Sequence, residues 1–180
     1  PVAVNSILNQ THNNLELIVV DDCSPLDDLE MYKEIMQDER IRIIRMEENH
    51  GTYYCRNAGL RTAKGSYVSF ADSDDWMHPQ KVEYSLSTMK KESVDLLLNR
   101  FVRISEDGKI WFNGNKLTQF SLVGMTISME AVRRFDLKFD GRARFGADSE
   151  VLERARVLLG PTKIKRTNFV EVLALHHVDS

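Results

Sequence analysis

Tyr67-Val68-Ser69-Phe70-Ala71-Asp72-Ser73-Asp74-Asp75-Trp76 passes from strand formers to three carboxylates within four positions. Trp76-Met77-His78-Pro79 then turns the chain toward a new helix, so the acids lie at the C-terminal end of a strand. In open α/β sheets ligands bind at that edge, because the loops there diverge and leave a crevice. Asp72 and Asp74, one residue apart on a loop, can both turn oxygens toward one hard divalent cation such as Mg²⁺ or Mn²⁺, with a bound phosphate supplying further ligands. The same acids can equally serve only as strand breakers and helix caps.

Upstream of this stretch, Glu16-Leu17-Ile18-Val19-Val20 reads as a strand buried on both faces, and it too ends in acids, at Asp21-Asp22-Cys23-Ser24. Before it, Val2, Val4, Ile7 and Leu8 suggest a short amphipathic helix to about Gln10, followed by the polar connection Thr11-His12-Asn13-Asn14. The spacing of Leu29, Tyr32 or Lys33, and Met36 predicts a helix over 26–36, and Ile41-Arg42-Ile43-Ile44 is the next strand. Asn49-His50-Gly51-Thr52 opens a helix carrying Arg56, Asn57, Ala58, Leu60 and Ala63, with its close expected at Lys64-Gly65. Downstream, 80–90 reads as a helix and Val94-Asp95-Leu96-Leu97-Leu98 as a strand. This alternation of strand and helix argues for a parallel α/β sheet. Asp107-Gly108, between Val102-Arg103-Ile104 and Lys109-Ile110-Trp111-Phe112, is a hairpin signal, so the second half is expected to mix antiparallel pairs into the sheet. Helices over 129–135 and 148–159 and a strand over 169–174 complete the pattern.

Composition narrows the function classes. The chain has 180 residues, enough for one domain with a real core, and 42% hydrophobic with 28% charged residues is ordinary globular composition. A net charge of −3 gives no broad basic field, which argues against a nucleic-acid partner. Arg133, Arg134, Lys138, Arg142 and Arg144, and separately Lys163, Lys165 and Arg166, form local basic clusters that read as solvated surface or as contacts for anionic lipid or a phosphorylated acceptor. Cys23 and Cys55 show no paired spacing and are expected to be free thiols in a reducing compartment. No apolar run reaches the ~18 residues that span a bilayer, and no signal segment opens the chain. The expectation is a cytoplasmic protein, with peripheral association with the inner membrane face as a further expectation.

Taken together, Ser6-Ile7-Leu8-Asn9-Gln10-Thr11, Val19-Val20-Asp21-Asp22-Cys23-Ser24, Asn49-His50-Gly51 through Cys55-Arg56-Asn57-Ala58-Gly59, and Phe70-Ala71-Asp72-Ser73-Asp74-Asp75 resemble a family 2 glycosyltransferase of the bacterial polysaccharide type. The resemblance is strong over residues 5 to about 83 and returns at Phe145-Gly146-Ala147-Asp148-Ser149-Glu150, which is similar to the family's acidic catalytic segment. It implies an α/β GT-A fold, Rossmann-like and three-layered, with a mostly parallel central sheet. Members open with a strand and a Pro-containing loop, whereas this chain starts at Pro1-Val2-Ala3, so the first strand is expected to be absent. Residues 1–180 are expected to form one domain, with 1–90 as the nucleotide-sugar half and 91–180 as the acceptor and catalytic half.

The resemblance also assigns roles. It implies an inverting, metal-dependent transfer of a sugar from a UDP-sugar donor to a hydroxyl of a saccharide or lipid-linked acceptor, with Mn²⁺ or Mg²⁺ as cofactor. Asp22, with Asp21 beside it, would meet the uracil ring, and Arg56 with Asn57 would lie against the nucleotide or its phosphates. Asp72 would reach the ribose or the metal, Asp74 would be the chief metal ligand, and Asp75 would support them. Asp148 sits at the position of the base, but Ala147 stands where an acid usually precedes it, which leaves Glu150 as a rival. His177, or His176 in its place, resembles a histidine on a loop that closes over the donor and completes the metal shell. A nucleotide-sugar-binding module that keeps the fold with little turnover is the alternative reading.

Overall fold

The computed structural model describes residues 2–25, 33, 36–105 and 107–176. Its first element, α1 (Val2–Leu8), is followed by β1 (Leu17–Asp21), and β1 pairs in parallel with β2 (Ile41–Arg45), Leu17 opposite Ile41 and Asp21 opposite Arg45. Leu17 to Val20 are only half-buried, not enclosed on both faces as the apolar run suggested, because among the described residues β1 and β2 form a two-stranded sheet of their own. The helix expected over 26–36 falls almost wholly outside the described residues. Then α2 (Thr52–Thr62) packs back on β1. It does not close on Gly65. Ala63 turns the chain into extended backbone, and the Glu16 carboxylate accepts the N–H groups of Lys64 and Gly65 at 2.6 and 3.0 Å.

The other strands are β3 (Tyr67–Ser69), β4 (Trp76–Met77), β5 (Leu96–Ser105), β6 (Ile110–Trp111), β7 (Gln119–Phe120), β8 (Thr126–Ser128) and β9 (Ile164–His176). They form one sheet in the order β3-β8-β5-β9-β4, with β6 and β7 also paired to β5. The α/β class holds, but this sheet is mixed rather than mostly parallel, since only β5 and β9 run in parallel. Parallel neighbours need a crossover of a dozen or more residues, and the chain provides one between β5 and β9. The Asp107-Gly108 turn instead returns the chain at once, pairing Ile104 with Ile110 and Arg103 with Trp111 as the sequence predicted.

Period-2 alternation along β5 divides the core between two sheet faces. Leu96 and Leu98 join Leu60, Phe70, Ile127, Val132, Phe139, Val151 and Leu152, beneath α2, α4 (Met129–Phe135) and α5 (Ala147–Leu159). Leu97 joins Met89 and Val94 on the other face, beneath α3 (Lys81–Glu92). Helices therefore cover both sides of the sheet. The start of α4 is capped by Ser128, whose Oγ accepts the Ala131 N–H at 3.2 Å.

One feature of the interior is polar. Lys81 and Glu171 are both fully buried, with Nζ 3.8 Å from Oε2. Asn99 donates to Glu171 Oε2 at 2.8 Å and to Ser85 Oγ at 3.0 Å, and Thr167 donates to Asn99 Oδ1 at 2.6 Å. Burial pushes the Glu171 carboxyl up and the Lys81 ammonium down, and each is pulled back by the other's charge. Gly124 lies close beside them, where a Cβ would run into Glu171 Oε1 and lie 2.6 Å from Ser121 Oγ, so a larger residue would have to displace these side chains.

Candidate active site

The acid loop lies between β3 and β4, with Asp72 half-buried and Asp74 exposed. Helical spacing places Tyr53, Arg56, Asn57 and Leu60 along one face of α2. From that face Arg56 donates Nη2–H to Asp72 Oδ1 at 2.7 Å, with only 10% of its side chain exposed. Its guanidinium lies over three rings, 5.5 Å from Tyr53, 5.6 Å from Phe139 and 6.0 Å from Phe70. Tyr53 stacks on Phe139 at 5.7 Å, and Phe70 meets Phe139 edge-on at 5.0 Å. Such an enclosure excludes water from the cation and strengthens its hold on the Asp72 carboxylate. Asn57 uses both ends of its amide on the Phe139 backbone, donating to the carbonyl and accepting the N–H at 2.9 Å each. It pins the segment that carries one wall of the aromatic enclosure.

Asp75 is half-buried behind the other two acids. Burial first, then the charges of Asp72 and Asp74, push its carboxyl up to about 7, while Arg103 and Lys81 pull the other way. A carboxyl raised in the fold costs nothing while protonated and an increasing amount once ionised. This group's contribution to stability is therefore lost as pH rises from the ordinary carboxylate range, about pH 4, to about 7. Asp75→Asn removes the charge and keeps the shape. Its gain in Tm over the unaltered chain is expected to be small near pH 4, to grow toward pH 7 and to level off above. A gain that does not change with pH in a thermal melt series would contradict this account.

At the end of β1, Asp21 is buried, accepting Arg45 Nη1–H at 2.7 Å and the Ser24 N–H at 3.0 Å. Asp22 accepts the N–H groups of His50 and Gly51 at 2.8 and 2.7 Å, which ties this loop to the start of α2. Burial raises the Asp22 carboxyl, but these two amides, with the Cys55 thiol, outweigh it and hold the group below its ordinary range. The Cys55 thiol is in turn pushed up to about 12, by burial first and then by Asp22, so it stays protonated. Both cysteines are free, as expected.

The two candidate bases part company. Both lie in the first turn of α5, after Gly146 in the left-handed conformation at φ 79°. Asp148 Oδ1 accepts the Tyr53 hydroxyl at 3.0 Å, across 95 residues of sequence. Glu150 pairs twice with Arg154 of its own helix, at 2.8 and 2.9 Å, and this pairing holds its carboxyl below the ordinary range. Arg154 also donates to the carbonyls of Asp136 and Lys138 at 3.0 and 2.6 Å, so Glu150 anchors the loop before α5. Ala147, where the resemblance expected an acid, is packed in the core.

His177 lies outside the described residues, and of His176 only the backbone, at the end of β9, is described. No three His, Cys, Asp or Glu side chains among the described residues are placed to hold a metal ion together. Asp72 and Asp74 nevertheless bring carboxylate oxygens, the donor type a hard divalent cation takes, to one loop, with Asp72 half-buried and Asp74 exposed. Of the basic clusters, Lys138 pairs with Asp136, Arg142 with Asp140 and Lys165 with Glu92, as on an ordinary solvated surface. No helix among the described residues is long and apolar enough to cross a membrane. Tyr53 and Phe139 were not singled out by sequence. The one available signal was that Tyr53 lies one helical turn before Arg56.

Residues 1–154 match the sequence model of the family described as Glycosyl transferase family 2. Over 108 residues, 58% of this chain and 42% of the relative, the sequence is 40% identical to a putative teichuronic acid biosynthesis glycosyltransferase, TuaG, of Bacillus subtilis. It is 32% identical over 157 residues to an uncharacterized glycosyltransferase of Rickettsia bellii, covering 81% of this chain and 23% of that protein. The chain thus spans less than half the length of these curated relatives. Among solved structures, S. aureus TarS 1-349 superimposes with a TM-score of 0.78 in complex with UDP and 0.79 in complex with UDP-GlcNAc, at 19% identity in each case. Each superposition covers 97% of this chain, against 56% and 54% of those chains, and shows a shared GT-A fold.

Proposed function

The chain belongs to glycosyl transferase family 2, and from that premise we propose that it transfers a sugar from a UDP-sugar to a hydroxyl of a saccharide or lipid-linked acceptor, in polysaccharide or glycoconjugate biosynthesis. The observation that carries this reading is that the Asp72–Asp75 loop and Asp148 meet the same face of α2, through Arg56 and Tyr53. The UDP and UDP-GlcNAc bound to the TarS structures support the donor class. Asp72 and Asp74 would hold Mn²⁺ or Mg²⁺, the remaining ligands coming from the diphosphate. Bound there, the cation would stabilise charge on the leaving diphosphate. Arg56, already on Asp72, would lie against the nucleotide, and Asp22 would fix the loop that faces the base.

The protein's part in the chemistry is proton transfer and orientation. The acceptor oxygen bonds to the anomeric carbon as its proton passes to Asp148, and the bond from that carbon to the diphosphate oxygen breaks, its electron pair leaving with UDP. Attack from the face opposite the nucleotide inverts the configuration. The buried Ala147 favours a second reading, a binding module with little turnover, and a UDP-release assay separates the two.

Asp74→Asn tests the cation site by binding alone. The amide keeps the shape but loses the anionic oxygen that a hard cation prefers. Titrating UDP with and without Mn²⁺ is expected to show the Mn²⁺-dependent gain in affinity fall by roughly tenfold or more in the variant. An undiminished Mn²⁺ effect would remove Asp74 from the cation site.

A further inference from the structure

We propose that Tyr53 is the positioning residue of the base, its hydroxyl holding one oxygen of the Asp148 carboxylate so that the other is presented to the acceptor. The proposal rests on Asp148 being the base. A carboxylate in the first turn of a helix has a competing use, since it can turn back to the unpaired N–H groups of its own helix end. In this structure Asp148 Oδ1 is drawn outward to Tyr53, on a different helix, at 3.0 Å.

Tyr53 is itself fixed from several directions. Its ring stacks on Phe139, at an interplanar angle of 15°, and the Phe139 backbone is clamped by Asn57. The Arg56 guanidinium, held by Asp72, lies 5.5 Å from its ring centre. A hydroxyl so constrained can set the carboxylate's rotation where a mobile one could not. Its attachment to the residues around Asp72 also couples the acceptor side of the site to the donor side, through Asp148, Tyr53, Arg56 and Asp72 in sequence. Burial first, then the Asp148 carboxylate, push the phenol above its ordinary value, so it remains a donor at neutral pH.

The hydroxyl is separable from the ring. Phenylalanine at this position keeps the stacking on Phe139 and the contact with Arg56, and loses only the bond to Asp148. The experiment measures UDP release from UDP-GlcNAc, with water as acceptor, and UDP affinity by titration, for the unaltered chain, Tyr53→Phe, Asp148→Asn and the double variant. Tyr53→Phe is expected to lower kcat by about tenfold, with UDP affinity within about twofold and Tm unchanged. The double variant is expected to be no slower than Asp148→Asn alone, because a positioning residue has no effect once the group it positions is gone. A silent Tyr53→Phe beside a slow Asp148→Asn, or losses that multiply in the double variant, would overturn the positioning role and leave the base in place. A normal rate in Asp148→Asn, or no UDP release by the unaltered chain, would overturn the base assignment and this proposal with it.

Discussion

Asp148→Asn, at the proposed base, is expected to lower UDP release from a UDP-sugar donor by at least ~10²-fold while leaving UDP affinity within about twofold. The asparagine keeps the size of the side chain and can still accept the Tyr53 hydroxyl, but it cannot take the acceptor's proton at neutral pH. Because the proposed base would touch the acceptor and not the nucleotide, the loss should fall on kcat. Glu150→Gln is the control. Its carboxylate is turned to Arg154, which also holds the carbonyls of Asp136 and Lys138, so the change should cost rate only by loosening that loop. A dead Glu150→Gln with a normal Asp148→Asn would exchange the two roles. Normal turnover in both would move the base out of this segment altogether.

The other large effect is on stability. Glu171→Ala is expected to destabilise the fold by ~3–5 kcal/mol, because it leaves the fully buried Lys81 without its counter-charge and one N–H of the Asn99 amide, whose other bond goes to Ser85, without an acceptor. The pair itself need not stabilise the chain relative to an apolar core. At 3.8 Å, Nζ and Oε2 lie beyond a normal hydrogen bond, and both groups have been removed from water. Replacing both together, Lys81→Met with Glu171→Leu, is therefore expected to recover most of the loss. Urea midpoints for the single and double variants decide the matter. A single variant that costs less than about 1 kcal/mol, or a double variant no more stable than the single, would contradict the coupling.

Two fully buried charges were not visible in the sequence, and the reason lies in strand register. Phe169-Val170-Glu171-Val172-Leu173 reads as an ordinary strand, with nothing to mark its glutamate for burial. In the sheet, Val170 lies opposite Arg100 and Val172 opposite Phe101, so Glu171 is the extra residue of a bulge. A bulge re-aims one side chain, and nothing local in the sequence announces it. The expectation of a mostly parallel sheet failed for a related reason. Strand and helix alternate clearly up to β5, but alternation in sequence does not say which strands become neighbours, and β8 returned to pair antiparallel with both β3 and β5.

Part of the candidate site's geometry was nevertheless readable. The Glu150–Arg154 pair follows from i, i+4 spacing on a helix, and the Asp72-Ser73-Asp74-Asp75 run follows from a strand that stops in acids. Periodicity, turn residues and the order of the acid-ended segments determined the elements, the α/β class and the family, because those depend on forces acting over a few residues and on motif order along the chain. Which partner each of several chemically similar carboxylates takes was decided by tertiary structure alone. Asp21 went to Arg45, Asp22 to the amides of His50 and Gly51, Asp72 to Arg56 and Asp148 to Tyr53. An aspartate carries the same charge and shape wherever it stands, and its role follows from the partner that the packing of distant segments brings within about 3 Å.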